Sequence, residues 1–348
     1  MWKFLLFLVS LIGAAPVCAQ ANKKADCCQC LYREVPRGCS PEGGVYFSAD
    51  FLWWRAENHG LSAAFENQSE SVSDGSIFRV SPAWDPGFRL GLGWNTSYDG
   101  WDLLLNWTWY ENNASSTKTR NGIAFGSQQG FYPMWPHAHS PYGPFQTAGV
   151  TYRILYNAID FEIGRAVFTS KKLSFRPFWG PRAAWLSQTF QTRFTTPLSN
   201  SADPQKSEGR DVYWGIGPRA GTAAEWHVGS GFSVVGLVAA AALYGNARVR
   251  FQNQELTNGA YVLERKFTDD FDQLAPQLQL LLGLQWGSCL WTDRYYLAFS
   301  AVWETNYWWD QMNLPVSLRS ASFGSPMPTV GNQPVTLEGL TVNAEFDF

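Results

Sequence analysis

Apolar residues recur at every second position in ten stretches of this chain, and after residue 19 they never run long enough to make a membrane-spanning helix. Trp101, Leu103, Leu105, Trp107 and Trp109 alternate with Asp102, Leu104, Asn106 and Thr108. Pro276, Leu278, Leu280, Leu282, Leu284 and Trp286 alternate with Ala275, Gln277, Gln279, Leu281, Gly283 and Gln285. A period of two belongs to a β-strand with one apolar face. The ten stretches lie near 45–55, 87–95, 101–110, 152–165, 173–186, 213–227, 232–245, 274–287, 295–309 and 336–348. Each is near or above the roughly 9–11 residues that a tilted strand needs to cross a bilayer. The more apolar face reads as free of Asp, Glu, Lys and Arg, while the facing set carries the charge. Lipid demands such a face, because an Arg or Lys at the bilayer midplane costs roughly 2–4 kcal/mol.

Composition points the same way. Aromatics make up 16% of the chain, with 18 Trp, and charged residues only 16%, against about 25% in soluble domains. A membrane barrel places Trp at its two interfaces, where an amphipathic ring suits the headgroup layer. A net charge of −3 gives no electrostatic footprint for nucleic acid.

The first residues read as a signal peptide, 1–19. Lys3 is the positive start, Phe4 to Ile12 is apolar apart from Ser10, and Val17-Cys18-Ala19 supplies small residues at the cleavage positions. The cut is placed after Ala19; a lipoprotein cut before Cys18 is the alternative. An exported chain without apolar helices is either soluble or a closed barrel, the only other spanning structure that satisfies every backbone group.

Short turns near 96–100, 166–172, 228–231 and 288–294 alternate with long polar segments at 56–86, 111–151, 187–212, 246–273 and 310–335. This predicts an all-β, antiparallel, up-and-down transmembrane barrel over 45–348. It has ten strands, short periplasmic turns and long extracellular loops. Arg248 to Phe251 and Tyr261 to Lys266 have strand character of their own. They extend a hairpin above the membrane or, as a further membrane pair, make twelve strands. In the final strand Leu340, Val342, Ala344, Phe346 and Phe348 form one face and Thr341, Asn343, Glu345 and Asp347 the other. An amphipathic last strand ending in Phe resembles the signal read by the barrel-assembly machinery.

Three motifs resemble those of the Legionella-type major outer membrane protein family, also expanded in chlamydia-like bacteria. They are Phe51-Leu52-Trp53-Trp54-Arg55-Ala56 with Gly60-Leu61, the run Phe175 to Trp185, and Gly215-Ile216-Gly217-Pro218-Arg219-Ala220-Gly221. The resemblance spans the barrel. It implies a pore-forming or surface-structural protein of the cell outer membrane, with no catalytic residues to carry over.

Function is expected on the inward face. Asp50, Arg89, Asp102, Asp160, Glu162, Arg176, Arg182, Arg219, Glu225 and Glu304 are read as lumen-lining, with Glu345 and Asp347 beside them. Two readings stand: a porin-like channel for small solutes, weakly cation-selective through its excess of carboxylates, or an occluded structural or adhesive barrel. Eight strands give an interior just filled by side chains and 16–18 a water channel, so ten lie nearer the filled case. An omptin-like enzyme is the third reading and the weakest. His59, His137, His139 and His227 are the only histidines, and no G-x-S-x-G, Walker or H-E-x-x-H motif is present. No catalytic residue, cofactor or metal site is assigned; His137 with His139 is weak evidence for a metal.

Residues 20–44 form a Cys-rich segment expected in the periplasm, with Cys27, Cys28, Cys30 and Cys39; Cys289 lies in a turn on the same side. An oxidising compartment favours disulfides among these five. Zinc is the alternative for the first four, although adjacent Cys27 and Cys28 depart from the usual spacing. The odd count points to at least one bond to another molecule or a free thiol. The expected partners are outer-membrane lipid, the barrel-assembly machinery and disulfide-linked copies or other envelope proteins.

Overall fold

The computed structural model describes residues 44–58, 62–71, 74–134, 144–170, 172–198, 203–290, 295–313, 315–317, 328–330 and 333–348. The expected signal peptide, 1–19, and the segment holding Cys27, Cys28, Cys30 and Cys39 lie outside the described residues. So do His59, His137 and His139.

Ten long strands are present: β1 Val45–Glu57, β2 Trp84–Asn95, β3 Trp101–Thr119, β4 Phe145–Arg165 and β5 Leu173–Pro197. The others are β6 Gln205–Gly229, β7 Phe232–Thr257, β8 Ala260–Leu290, β9 Tyr295–Met312 and β10 Gln333–Asp347. Each pairs antiparallel with the next in sequence. β10 pairs back onto β1, with Phe47 opposite Phe346 and Phe51 opposite Val342. Val45 and Phe348 exchange backbone hydrogen bonds of 3.2 and 3.1 Å, which closes the seam. The result is an up-and-down barrel of ten strands.

The second candidate pair, around 248–251 and 261–266, adds no strands to the ring. It is the upper part of a β7–β8 hairpin that turns at Asn258-Gly259, with φ of 53° and 80°. Consecutive positive φ values are what a tight hairpin requires and what Asn-Gly adopts cheaply. The opposite end has its own tight turns at Asp99-Gly100 and Ser230-Gly231.

The long polar segments 187–212 and 246–273 are mostly strand and 111–151 is strand at both ends, which corrects their reading as loops. β5 and β6 each run 25 residues and β8 runs 31, far beyond the roughly 9–11 that cross a bilayer. The reason lies in a change of faces. Between the two aromatic rings, β7 points Phe232, Val238 and Tyr244 outward and Ser233 inward. Further on it points Arg248 and Arg250 outward and Ala247, Val249 and Phe251 inward. The alternation continues but its apolar side swaps, as a strand passing from lipid into water must do. A criterion based on an apolar outer face stops at the swap.

Outward apolar side chains form a band between two aromatic rings. Phe51, Trp53, Leu90, Leu105, Trp107, Leu280, Leu282 and Trp303 are exposed on it. Trp226, Trp286, Phe232 and Trp94 mark the short-turn side, and Trp185, Trp214, Tyr244 and Trp309 the other. Trp214 and Trp226 stand twelve residues apart on β6. At roughly 3.3 Å per residue and a tilt of about 40°, that is roughly 30 Å along the membrane normal.

The outer face is not wholly free of charge, contrary to expectation. Arg55, Arg153 and Arg165 point outward, but at the rims and paired. Arg55 meets Glu338 at 2.6 Å, Arg153 meets Glu111 at 2.7 Å, and Arg165 meets Asp99 at 2.5 Å.

Three short strands, Ser62–Asn67, Gly75–Arg79 and Gly130–Pro133, form a side sheet that joins β4 through Phe131 and Phe145. Ala64, Phe131, Phe145, Ala148 and Phe194 give it a small core. Pro315–Ser317 pairs with Pro328–Val330.

The two media along one face can be tested on β3, where Leu105 and Thr117 share the outer side. Leu105→Arg should destabilise the barrel folded in vesicles by roughly 2–4 kcal/mol, read by guanidinium unfolding. Thr117→Arg, beyond the band, should change it by less than about 0.5 kcal/mol.

Candidate functional site: the barrel interior

The residues read as lumen-lining lie inside the barrel, and nine of the ten are held in ion pairs. Arg182 on β5 makes a two-pronged contact with Asp160 on β4, Nε to Oδ1 at 2.5 Å and Nη2 to Oδ2 at 2.7 Å. Its Nη1 donates to Gln277 on β8 at 2.6 Å. Arg89 on β2 donates to Asp50 at 2.9 Å and to both oxygens of Glu304 on β9, at 2.7 and 3.2 Å. Arg219 on β6 pairs with Glu162 and donates to Gln279 at 2.7 Å. Arg176 on β5 clasps Asp102 on β3 and donates to the second oxygen of Glu162 at 2.8 Å.

Uncharged side chains join these pairs into one network. Gln279 Nε2 donates to Glu304 at 2.7 Å while its oxygen accepts from Arg219, and at 3.5 Å from Arg182. Asn306 donates to Glu304 at 3.0 Å and accepts from Gln277 at 3.0 Å. Thr341 donates to Glu304 at 3.0 Å and accepts from the Trp54 indole at 3.0 Å. Asn343 donates to Asp50 at 2.5 Å. Sequence reasoning weighed charge and so passed over Gln277, Gln279, Asn306, Thr341 and Asn343 as members. Their signal was present in the alternation: amide and hydroxyl residues at inward positions of apolar strands.

The network spans the cross-section and its centre is buried, while Arg89 and Arg176 keep some exposure. Glu304 is 0% exposed, Arg182 2%, Asp160 3% and Arg219 4%. Nine of the ten strands contribute a side chain; β7 contributes small Ala239 and Ala241 at this level. Such pairs stand only if desolvation is repaid by near-ideal geometry and by further bonds to the remaining oxygens and N–H groups; the amides provide most of these, and Arg219 Nε has no partner among the described residues. Packing helps as well. Arg176 and Arg219 lie over the Phe178 ring, 5.4 and 4.8 Å from its centre. Gly164 leaves the space Arg176 occupies, for a Cβ there would fall 2.6 Å from the guanidinium carbon.

Towards the hairpin end the interior turns apolar. Leu52, Trp54, Tyr110, Tyr156, Leu186, Tyr213, Leu243, Phe251 and Trp308 are buried in one cluster. Trp54 packs on Tyr110 at 5.5 Å and Tyr156 on Trp308 at 5.9 Å between ring centres. Each tyrosine hydroxyl named next finds an acceptor: Tyr110 on the Trp54 carbonyl, Tyr213 on the Leu243 carbonyl and Tyr152 on Gln188.

Asp211 sits in this plug, three residues beyond the aromatic ring at Trp214. Its Oδ2 accepts from the backbone N–H of Asn313 at 2.8 Å and from its side chain at 3.3 Å. Its Oδ1 has no partner among the described residues. Burial pushes its carboxyl up to about 7.

The remaining inward acids lie towards the short turns. Glu225 accepts from Gln285 at 3.2 Å and faces His227 Nδ1 at 3.5 Å. Asp347 accepts from Asn95 at 3.2 Å. Glu345 lies two residues from it on the same face of β10. His227 also meets the Ser233 hydroxyl at 2.9 Å. Among the described residues no group of three or more His, Cys, Asp or Glu is arranged to hold a metal ion. Cys289, next to the end of β8, lies opposite Tyr296.

Two measurements test the interior. Arg182→Met strands the Asp160 carboxylate in a dry site and should cost about 3–5 kcal/mol; Arg182→Met with Asp160→Leu should recover much of that loss in denaturant unfolding. For Asp211 the folded state holds the proton more tightly than the unfolded chain, whose ordinary value is near 4. Its contribution is therefore complete below about pH 4 and lost as pH rises towards 7, by roughly 1.4 kcal/mol per pH unit at the steepest. Asp211→Asn should raise the Tm at pH 8 and flatten this part of the stability profile.

The sequence over residues 39–348 matches the family model described as Legionella pneumophila major outer membrane protein precursor. No curated protein sequence matches the chain significantly. Solved structures that align include the Pseudomonas putida toluene transporter TodX, at 9% identity over 90% of this chain and 91% of that one, TM-score 0.30. A Pseudomonas aeruginosa FadL homologue aligns at 7% identity over 90% and 91%, TM-score 0.28. Ail, the attachment invasion locus protein of Yersinia pestis, in complex with the heparin analogue sucrose octasulfate, aligns at 8% over 88% and 100%, TM-score 0.23. Scores this low carry no argument about function. The family match covers the whole ring that the strand pairing closes, and by it this chain belongs to the Legionella-type major outer membrane protein family.

Proposed function

We propose that this outer-membrane barrel is occluded and serves the structure of the envelope and its surface, rather than conducting solutes. The observation that carries this is the buried, bonded cross-section. Charged side chains that line a path for solutes are wetted by it, whereas here Glu304, Asp160, Arg182 and Arg219 are sealed, with an aromatic cluster stacked above them. The expected cation preference rested on eight inward carboxylates against four arginines. Five of the eight are taken up by those arginines, which weakens the basis for a selective pore. The reading is non-catalytic.

In this proposal the short turns face the periplasm and the long hairpins the exterior. The hydrophilic outer surface of the extended hairpins supports that orientation, as does the short-turn, long-loop asymmetry of such barrels. A signal peptide at 1–19 would export the chain. The final strand, ending in Phe348, is also the strand that closes the ring, which suits a role as the segment presented to an assembly machine. Cysteines on the periplasmic side, Cys289 among them, would add covalent strength.

Planar-bilayer recording on the refolded full chain tests occlusion: no discrete conductance steps should appear, and steady ohmic steps would restore the channel. For the cysteines, non-reducing gels of whole envelopes should show high-mass species that collapse with reductant. A single monomer band, indifferent to reductant and with all thiols alkylated, would remove cross-linking from the proposal.

A further inference from the structure

Beyond the aromatic ring at the hairpin end, one side of the barrel is basic. Arg193 on β5, Lys206 and Arg210 on β6, Arg250 on β7 and Lys266 on β8 all sit at outward positions. The strand register places Arg210 directly opposite Arg250 and Lys206 directly opposite Arg193. Like charges directly opposed across a pair destabilise a sheet, so two such pairs on adjoining strands run against the sheet's own stability. Other outward arginines behave differently: Arg55, Arg153, Arg165 and Arg248 each hold a carboxylate within 2.8 Å. None of the five basic residues of this face has an ion pair among the described residues.

One carboxylate, Glu208, lies between Lys206 and Arg210 and accepts from Gln252 at 3.4 Å. It leaves the five cations in excess. Lower on the same face Asp270 is matched by Arg248 at 2.7 Å, and Asp272 accepts from Tyr244 and Asn246 at 3.4 Å. Glu208, Arg210, Arg250, Gln252 and Lys266 border a shallow recess of about 220 Å³.

Height identifies the ligand. Arg210 stands four residues beyond Trp214 and Arg250 six beyond Tyr244, roughly 13 and 20 Å along their strands. That is past the apolar band yet close to it, the level at which lipid headgroups stand. Arginine forks match phosphate oxygens in two-pronged contacts, and a phosphate between opposed arginines would turn their repulsion into attraction. The two like-charged pairs lie four residues apart on β6, which suits two phosphates on one headgroup.

We propose that this face of β5–β8 binds a phosphorylated lipid headgroup of the outer leaflet, a glycolipid bearing two phosphates. The proposal rests on the orientation given under Proposed function. The full chain, purified in detergent, would be mixed with vesicles of phosphatidylethanolamine containing bisphosphorylated lipid A, then washed with detergent and assayed for retained lipid. Wild-type protein should retain at least tenfold more lipid A than Arg210→Gln/Arg250→Gln, two exposed substitutions that leave the interior intact. Arg55→Gln, on β1 at the far side of the barrel, should behave as wild type. Millimolar inorganic phosphate should not displace the lipid, and monophosphorylated lipid A should be held more weakly.

Equal retention by the double variant overturns the proposal. So does complete displacement by inorganic phosphate, which would make this a free-anion site, or equal retention of phosphatidylethanolamine alone. Orientation is read separately, by labelling an Asn258→Cys barrel on intact cells with an impermeant maleimide. Labelling only after permeabilisation would overturn the orientation, and with it the outer-leaflet assignment, whatever the lipid assay gives. Surface labelling with failed retention would overturn the lipid site alone.

Discussion

Inside a bilayer no water is available to a backbone N–H or C=O, and the pairing of β10 with β1 is what leaves the ten-strand ring without an open edge. The rest of the architecture follows from that closure. Ten strands joined in a ring enclose an interior only slightly wider than side chains can fill. Inward residues therefore meet across the axis, and whatever polarity they carry has to be satisfied there. Arg89 reaching Glu304, and Arg182 reaching Gln277, are contacts across a narrow space. In a wide pore these groups would face water. The proposed occlusion follows from this filled interior.

The same strands serve two environments by exchanging faces. In the lower part the exterior is apolar and the interior polar. In the upper part Val249 and Phe251 turn inward while Arg248 and Arg250 turn outward, without a shift in register between the two regions of β7. The upper half has the inside-out polarity of a water-soluble β-barrel, built on the same hydrogen-bonded ladder. A polar network and an aromatic plug thus lie one above the other, and Asp211 sits on the plug's side of that boundary.

Strand positions and faces were legible in the sequence because lipid imposes an unusually strict rule on side chains such as Leu103, Leu105, Leu280 and Leu282. The upper strand segments were not, since Ser187, Thr189, Gln191 and Arg193 on the outer side of β5 look like loop to a rule that seeks apolar exteriors. Asn258-Gly259 was the overlooked clue, a dipeptide that fits a two-residue hairpin and little else. Within the interior, the charged residues could be picked out but their partners could not. Whether Arg182 meets Asp160 or Glu162 depends on shear between strands, which alternation does not encode. Gln279 escaped notice for a related reason: an uncharged amide becomes important only once three ionic neighbours converge on it.

The interior network has a kinetic side. Arg89 and Glu304 are 215 residues apart in sequence, and Asp50 and Asn343 are 293 apart. Bonds across the axis and across the seam exist only when the first and last strands have come together. A partly rolled sheet can form the pairs between neighbouring strands, such as Arg182 with Asp160, but not these. Contacts of such long sequence separation are formed late and slowly. The molecule's final closure makes the bonds that span the seam together, so that the ring behaves as a latch set by its last strand.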